Sequence, residues 1–292
     1  MRIDLHTHSR ASDGTQSPEE LVHAAAAAGL DVLALTDHDT SAGWESATRA
    51  ALEAGISLVL GMEISTRYAG RGVHLLGYLP DPTYPPLVEE LQRIVEGRNH
   101  RVPETLVRLA ELGIDLDADE VRRLAGPTAA LGRPHIADAL VAAGVVVSRD
   151  EAFQELLSAG RPGYVDRYAA PLAEMIGLVR EAGGVSVVAH PWGRQDPGVL
   201  DEAGLAELAG QGLAGIEVDH EDHSAQSRDR LRSIARDLGL VATGSSDHHG
   251  LGKAGHELGC NTTDPEQLER LLALAAEAAR ASGRDVPAVV AG

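Results

Sequence analysis

The sequence predicts an α/β protein, a largely parallel sheet with helices outside it and a helical insertion in mid-chain. Three observations carry that expectation. Short apolar strands alternate with helical segments through both ends of the 292-residue chain, the order that builds parallel sheets. Between about Pro80 and Ala170 the strand signal fades and helical segments continue. Histidines and carboxylates recur where strands run out, the edge at which such folds collect their chemistry.

Residues 3–5 read as a short strand leading into His6-Thr7-His8. Side chains on an extended chain repeat every two residues, so both imidazoles project together as a ready pair of metal ligands. Ser17-Pro18-Glu19-Glu20 supplies an N-cap, a first-turn proline and a capping-box glutamate, and Gly29 stops the helix that follows. Residues 31–36 are nearly all apolar, as in a strand buried on both faces, and lead into Asp37-His38-Asp39. A helix over 42–54 ends at Gly55; strand 56–60 leads to Glu63, and strand 73–79 carries His74.

Four prolines (Pro80, Pro82, Pro85, Pro86) then interrupt the chain, and helices are expected at 87–112, 118–124, 134–143 and 150–158. Alternation resumes with helix 172–182 and strand 185–189, which delivers His190. Helix 199–209 and strand 215–218 deliver Asp219 and His220, and helix 224–238 and strand 240–243 run into Asp247-His248-His249. A last helix covers 265–281. Residues 1–79 and 171–292 thus form the sheet that bears the metal-ligand candidates, and 80–170 a helical cap over the substrate pocket. Alternation alone leaves open whether the sheet is open or closed.

Composition narrows the classes. Hydrophobic content of 43% suits a globular core. No apolar run reaches membrane-spanning length and no leader precedes the first strand, which points to a cytoplasmic chain beginning at Met1, with no membrane and no obligate protein partner. The single cysteine, Cys260, excludes an internal disulfide and is expected to be a small buried hydrophobe. A net charge of −19 argues against general affinity for long nucleic acid. Lys253 is the only lysine.

Taken together, D-L-H-x-H-S…D-G, L-A-L-T-D-H-D, G-x-E-I-S, H-L-L-G-Y, A-H-P, G-I-E-V and S-S-D-H-H-G resemble the PHP family of polymerase-and-histidinol-phosphatase phosphoesterases, over essentially the whole chain. The similarity is greatest to stand-alone members acting on nucleotides. It implies a distorted seven-stranded (β/α) barrel resembling a TIM barrel, with two to three divalent ions at its mouth. His6, His8, Glu63 and Asp247 resemble the ligands of a first ion; Glu63, His74 and His190 those of a second, with Glu63 shared; Asp13, His38 and His249 those of a third. An imidazole–carboxylate set without thiolate suits Mn²⁺, Fe²⁺ or Zn²⁺. Such ions activate water and neutralise phosphate oxygens, which makes Glu63 and Asp247 catalytic candidates. Asp37 and Asp39 are expected either to orient imidazoles or to cap a helix.

For substrate, Gly132-Arg133-Pro134-His135 resembles a segment that nucleotide-specific relatives aim at the ligand, which makes Arg133 and His135 candidates. Arg167 is another, and a guanidinium fork suits phosphate. His220 and His223 could touch phosphate, and His223 could protonate the leaving group. Six aromatics (Trp44, Trp192, Tyr68, Tyr78, Tyr164, Tyr168) include possible base-stacking partners. The resemblance implies a phosphatase for small phosphorylated nucleotides, either nucleoside 3′,5′-bisphosphates or 5′-mononucleotides. Trimming of short RNA, histidinol phosphate hydrolysis and a structural module are the alternatives.

Overall fold

Eight strands form one sheet in the computed structural model, which describes residues 1–126, 128, 131–193, 198–286 and 288–292. Seven of them lie in sequential order: β1 (Ile3–Asp4), β2 (Val32–Leu35), β3 (Ser57–Tyr68), β4 (Arg71–Tyr78), β6 (Val185–Val188), β7 (Gly215–Asp219) and β8 (Val241–Gly244). The two-residue β5 (Ala170–Pro171) adds to the side of β3. Past the ends of β1 and β8 a parallel bridge joins Thr7 to His248, with the His8 amide donating to the His248 carbonyl at 2.8 Å. That contact draws the two edge strands together, so the sheet is a nearly closed barrel rather than an open one.

The sheet is mixed, which the alternation did not reveal. β4 runs antiparallel to both β3 and β6. β3 continues well past residue 60 because a two-residue turn at Ala69 and Gly70 returns the chain; both have positive φ (47° and 76°), as tight hairpin turns require. Glu63 and His74 therefore lie within strands and not at strand ends. His74 still reaches the barrel mouth, because the beginning of an antiparallel strand sits where parallel neighbours finish.

Alternate strand residues divide the core in two. Ile3, Leu5, Val32, Ala34, Val59, Leu76, Tyr78, Val187 and Val241 fill the barrel, and Leu268 and Leu271 of α10 (Pro265–Ala281) pack against them. The opposite face, including Leu33, Leu35, Leu58, Ile64 and Ile216, is covered by α1 (Pro18–Ala27), α2 (Trp44–Ala54), α7 (Leu172–Glu181), α8 (Glu202–Gly210) and α9 (Ala225–Leu238). The cap begins with α3 (Pro85–Glu111), whose Leu87 and Ile94 join the barrel's outer core. Its second half shares a separate core with α4 (Ala118–Ala125), α5 (Arg133–Ala142) and α6 (Arg149–Ala152), centred on Leu109, Val121, Ile136 and Leu140. α6 leads into a π-helical turn over Phe153–Leu157, where the sequence suggested one continuous helix. Cys260 is exposed, not buried. Among the described residues no helix is long and apolar enough to cross a membrane.

Tyr78 is fully buried, and its hydroxyl donates to the Leu5 carbonyl at 2.8 Å, tying β4 to the segment that carries His6. Tyr78→Phe should leave that carbonyl short of a donor and destabilise the fold by about 1–2 kcal/mol, measured by urea unfolding.

Candidate metal centre

Nine side chains foreseen as ligands converge at the mouth of the barrel. Immediately after β1, His6 and His8 bring their Nε2 atoms to 3.0 Å from each other. Glu63 Oε2 lies 3.4 Å from His6 Nε2 and 3.2 Å from His8 Nε2, and Asp247 Oδ1 lies 3.4 and 3.3 Å from the same nitrogens. A tetrahedral ion with bonds of about 2.1 Å separates its ligands by about 3.4 Å, so these spacings suit a divalent ion. The other oxygen of Glu63 turns elsewhere: Oε1 is 2.7 Å from His74 Nδ1 and 3.1 Å from His190 Nε2. His38 Nδ1 is 3.1 Å from Oε2. A third group gathers round Asp13, whose oxygens lie 3.6 Å from His38 Nε2 and 3.4 Å from His249 Nε2.

The donor chemistry fits metal as well as the spacing does. Two imidazole nitrogens at 3.0 Å repel unless a proton or a cation stands between them. The buried His8 Nδ1 and His38 Nδ1 have no hydrogen-bond partner. Burial disfavours charge on His38 and His190 and lowers their pKa to about 3 and 4, leaving the neutral imidazoles that metals require. Burial also opposes ionisation of Glu63, yet the imidazoles around it, His74 foremost, hold it well below the ordinary carboxylate range. Burial favours neutral His8, but hydrogen bonds to Asp247 and Glu63 outweigh it and raise its pKa to about 9. The carboxylates thus demand positive charge among the histidines.

Glu217 of β7, foreseen only as part of a motif, orients this centre. Fully buried, it accepts from His6 Nδ1 at 3.2 Å and from the His190 amide at 2.7 Å, and Ser245 Oγ also donates to it. The first bond leaves His6 Nε2 as a lone-pair donor. A carboxylate inside an otherwise apolar strand was the available sequence signal. Asp37 and Asp39 perform neither role foreseen for them. Asp37 accepts from the Ser9 amide and from the hydroxyls of Ser9 and Ser12, and Asp39 from the Ser65 amide and Arg98 Nε; α2 is capped by Gly43.

The foreseen substrate residues divide. Arg133 and Arg167 line a cavity of about 480 Å³ floored by Glu63, His74 and Asp247. His135, His220 and His223 are not among its lining residues. His135 accepts from the Gly132 amide through Nδ1 and binds the Ser12 carbonyl through Nε2, so it holds backbone, not ligand. His223 is likewise engaged, by the Val218 carbonyl and the Trp192 amide, which leaves no ring nitrogen for a leaving group. His220 lies fully buried with Nε2 3.4 Å from Asp247 Oδ2 and without a hydrogen-bond partner, in a group with Asp247 and His256 spaced as metal ligands are. Trp44, Trp192 and Tyr78 spend their polar atoms on backbone carbonyls of the core.

The cavity adds residues that sequence reasoning missed. Arg98 and Arg101, one turn apart on the buried face of α3, line it beside Arg133 and Arg167. Arg98 donates to Asp39 at 2.6 Å and to Ser65 at 2.7 Å, whereas the buried Arg101 Nε has no hydrogen-bond partner. Burial, reinforced by the charges of Arg133, Arg167 and Arg98, lowers the Arg101 pKa to about 8. Burial and Arg98 likewise lower Arg167 to about 9. This crowding of cations favours an anionic ligand. Phe153 lines the same cavity, and the lone lysine, Lys253, places Nζ 2.5 Å from Asp247 Oδ2.

Clustered imidazoles and carboxylates at the mouth of an α/β barrel, beside a basin of arginines, define a metal-dependent hydrolase for phosphorylated substrates. The chain belongs to the PHP domain family, whose pattern matches residues 4–119. It is 37% identical over 258 residues to the 3′,5′-nucleoside bisphosphate phosphatase of Chromobacterium violaceum, covering 88% of this chain and 90% of that protein. A 5′-3′ exoribonuclease of Haemophilus influenzae is 36% identical over 248 residues, covering 85% and 90%. The crystal structure of a candidate metal-dependent phosphoesterase from Bifidobacterium adolescentis superposes with a TM-score of 0.88 at 37% identity, covering 93% and 96%.

Glu217→Gln keeps the shape but weakens the acceptor that orients His6. It should lower the affinity for Mn²⁺ roughly ten- to a hundredfold with little change in the far-ultraviolet circular dichroism, measured by calorimetric titration.

Proposed function

We propose that this chain, a metal-dependent phosphoesterase of the PHP family, hydrolyses a phosphate monoester of a small nucleotide and prefers one that carries a second phosphate. One observation supports the reading above the others. A single cavity joins the Glu63-centred histidine cluster to five arginines, Arg98, Arg101, Arg133, Arg149 and Arg167. A nucleoside 3′,5′-bisphosphate has two anionic ends for two such walls, and the relative from Chromobacterium violaceum is named for that substrate.

His6, His8, Glu63 and Asp247 would hold a first divalent ion, Glu63 with His74 and His190 a second, and Asp13, His38 and His249 a third. Bound there, the ions would supply Lewis acidity and an activated water for attack on phosphorus. The chain's own contribution is geometric and electrostatic. The backbone at Asp39, His190 and Asp247 is fixed at positive φ (56°, 29° and 53°), which aims the latter two side chains into the centre. Arg101 and Arg133 would receive the phosphate that is not cleaved, and Phe153 offers a face to the base. Lys253 adds positive charge beside Asp247, where the reacting phosphate would lie.

Chelation should abolish phosphatase activity and Mn²⁺ restore it, and Glu63→Gln should be the most damaging single change, because one carboxylate serves two groups of histidines. Bound metal below one equivalent in active protein would refute this.

Comparing kcat/KM for adenosine 3′,5′-bisphosphate, AMP, a short 5′-phosphorylated RNA and histidinol phosphate tests the substrate. Arg133→Ala should raise KM for the bisphosphate roughly tenfold or more and leave a generic aryl phosphate little affected. An equal loss on all substrates, or preference for the oligonucleotide, would overturn the assignment.

Arg101→Leu should raise the melting temperature in phosphate-free buffer, since it removes a poorly partnered buried charge. The same change should shrink the stabilisation by saturating inorganic phosphate, which in the wild type is about 2.7 kcal/mol at a hundred times Kd. Paired melts with and without phosphate check both.

A further inference from the structure

We propose that the helical cap positions Asp13 for metal binding by holding three consecutive carbonyls of the loop that carries it, which makes Thr128, His135 and Arg149 positioning residues of the metal centre. The proposal rests on the metal reading given above for Asp13.

Asp13 lies in the segment between β1 and α1, where no helix or strand ladder fixes the backbone. Its turn is closed by backbone bonds from the Ser12 and Gly14 amides to the Ser9 carbonyl (3.1 and 2.9 Å) and from the Thr15 amide to the His249 carbonyl (3.1 Å), and two sets of side chains add to them. From the barrel, Asp37 accepts from the Ser9 amide at 2.8 Å, Ser9 Oγ at 2.6 Å and Ser12 Oγ at 2.6 Å. From the cap, Thr128 Oγ1 donates to the Ala11 carbonyl at 3.1 Å, His135 Nε2 to the Ser12 carbonyl at 3.0 Å, and Arg149 Nη1 to the Asp13 carbonyl at 3.0 Å. The latter two donors are themselves anchored. The Gly132 amide donates to His135 Nδ1 at 3.0 Å, which places the ring proton on Nε2, facing the loop. Arg149 forks onto Asp138 through Nε and Nη2, both at 2.6 Å, so only its remaining nitrogen reaches Asp13.

The grip ends at the ligand itself. Asp13 Oδ1 and Oδ2 stand 3.4 Å from His249 Nε2 and 3.6 Å from His38 Nε2, spacings that an ion tolerates only within a few tenths of an ångström. The loop has little slack, because a Cβ on Gly14 would stand 2.4 Å from the His8 carbonyl oxygen. Releasing one carbonyl therefore lets the carboxylate drift from His38 and His249 while His6, His8, Glu63 and Asp247, held by the barrel, remain in place. The cap thus serves the centre as well as the substrate.

The test titrates metal-free full-length protein with Mn²⁺ and follows amide hydrogen exchange at residues 12–15 without metal. Thr128→Val, which removes one donor at almost constant shape, should weaken the last equivalent several-fold. Arg149→Met should weaken it roughly ten- to a hundredfold, and Arg149→Lys should recover part of the loss. The first equivalents should be unchanged, and amides 12–15 should exchange faster in each variant. A last equivalent of wild-type affinity in folded Thr128→Val and Arg149→Met would overturn the proposal. So would equal weakening of every equivalent, which marks a general role in folding. Wild-type protein that never binds the last equivalent would refute the metal reading of Asp13 and the proposal with it; altered exchange in the variants would then leave the clamp as a purely structural contact.

Discussion

The two oxygens of one buried carboxylate govern the arrangement of this protein. Glu63 turns Oε2 toward His6, His8 and His38 and Oε1 toward His74 and His190, so elements from four parts of the chain are drawn to a single side chain. An ionised carboxylate at 1% exposure is costly unless positive charge surrounds it. The histidines supply part of that charge, and the cations for which their lone pairs are suited would supply the rest. The mixed sheet follows from the same need. Only a strand of reversed direction brings His74 to the mouth from its own beginning, and the β3–β4 hairpin provides one.

Around that point the chain separates its charges. Its net charge is −19, but the cavity wall formed by the cap concentrates arginines, with Arg98 held by Asp39 and Ser65. A strongly acidic exterior repels long polyanions, whereas a basin of guanidinium groups attracts anions locally. Several carboxylates work as fixtures for other groups and not as ligands. Glu217 sets the His6 ring, Asp37 shapes the Ser9–Ser12 turn, and Asp39 stations Arg98. The strained backbone at Asp39, His190 and Asp247 lies in this same zone, where packing and hydrogen bonds over-determine it.

Much of this was legible in the sequence, for reasons that are local. Apolar runs, caps and stop glycines fix strands and helices over short distances, so α1, α9 and α10 fall where Ser17, Ser224 and Asp264 cap them. His6 and His8 face one side because extended chains repeat every two residues, and the nine candidate ligands converge on one end of the barrel, although Glu63 and His74 do so from within strands and not from strand ends. What the sequence by itself determined was therefore the order of elements, the set of candidate ligands and the acidic balance of the whole.

Tertiary structure decided the remainder, because it depends on distances between residues far apart in the chain. The closing contact of Thr7 with His248 makes a barrel of the sheet, and the turn at Ala69 and Gly70 reverses one of its strands. The cavity excludes His135 and His223, whose ring nitrogens are taken by backbone groups such as Ser12 and Val218, and admits Arg98 and Arg101 from a helix expected only as part of the insertion. A side chain's type tells which partners it can accept; whether a ligand or a neighbouring carbonyl reaches it first is settled only once the chain has folded back on itself.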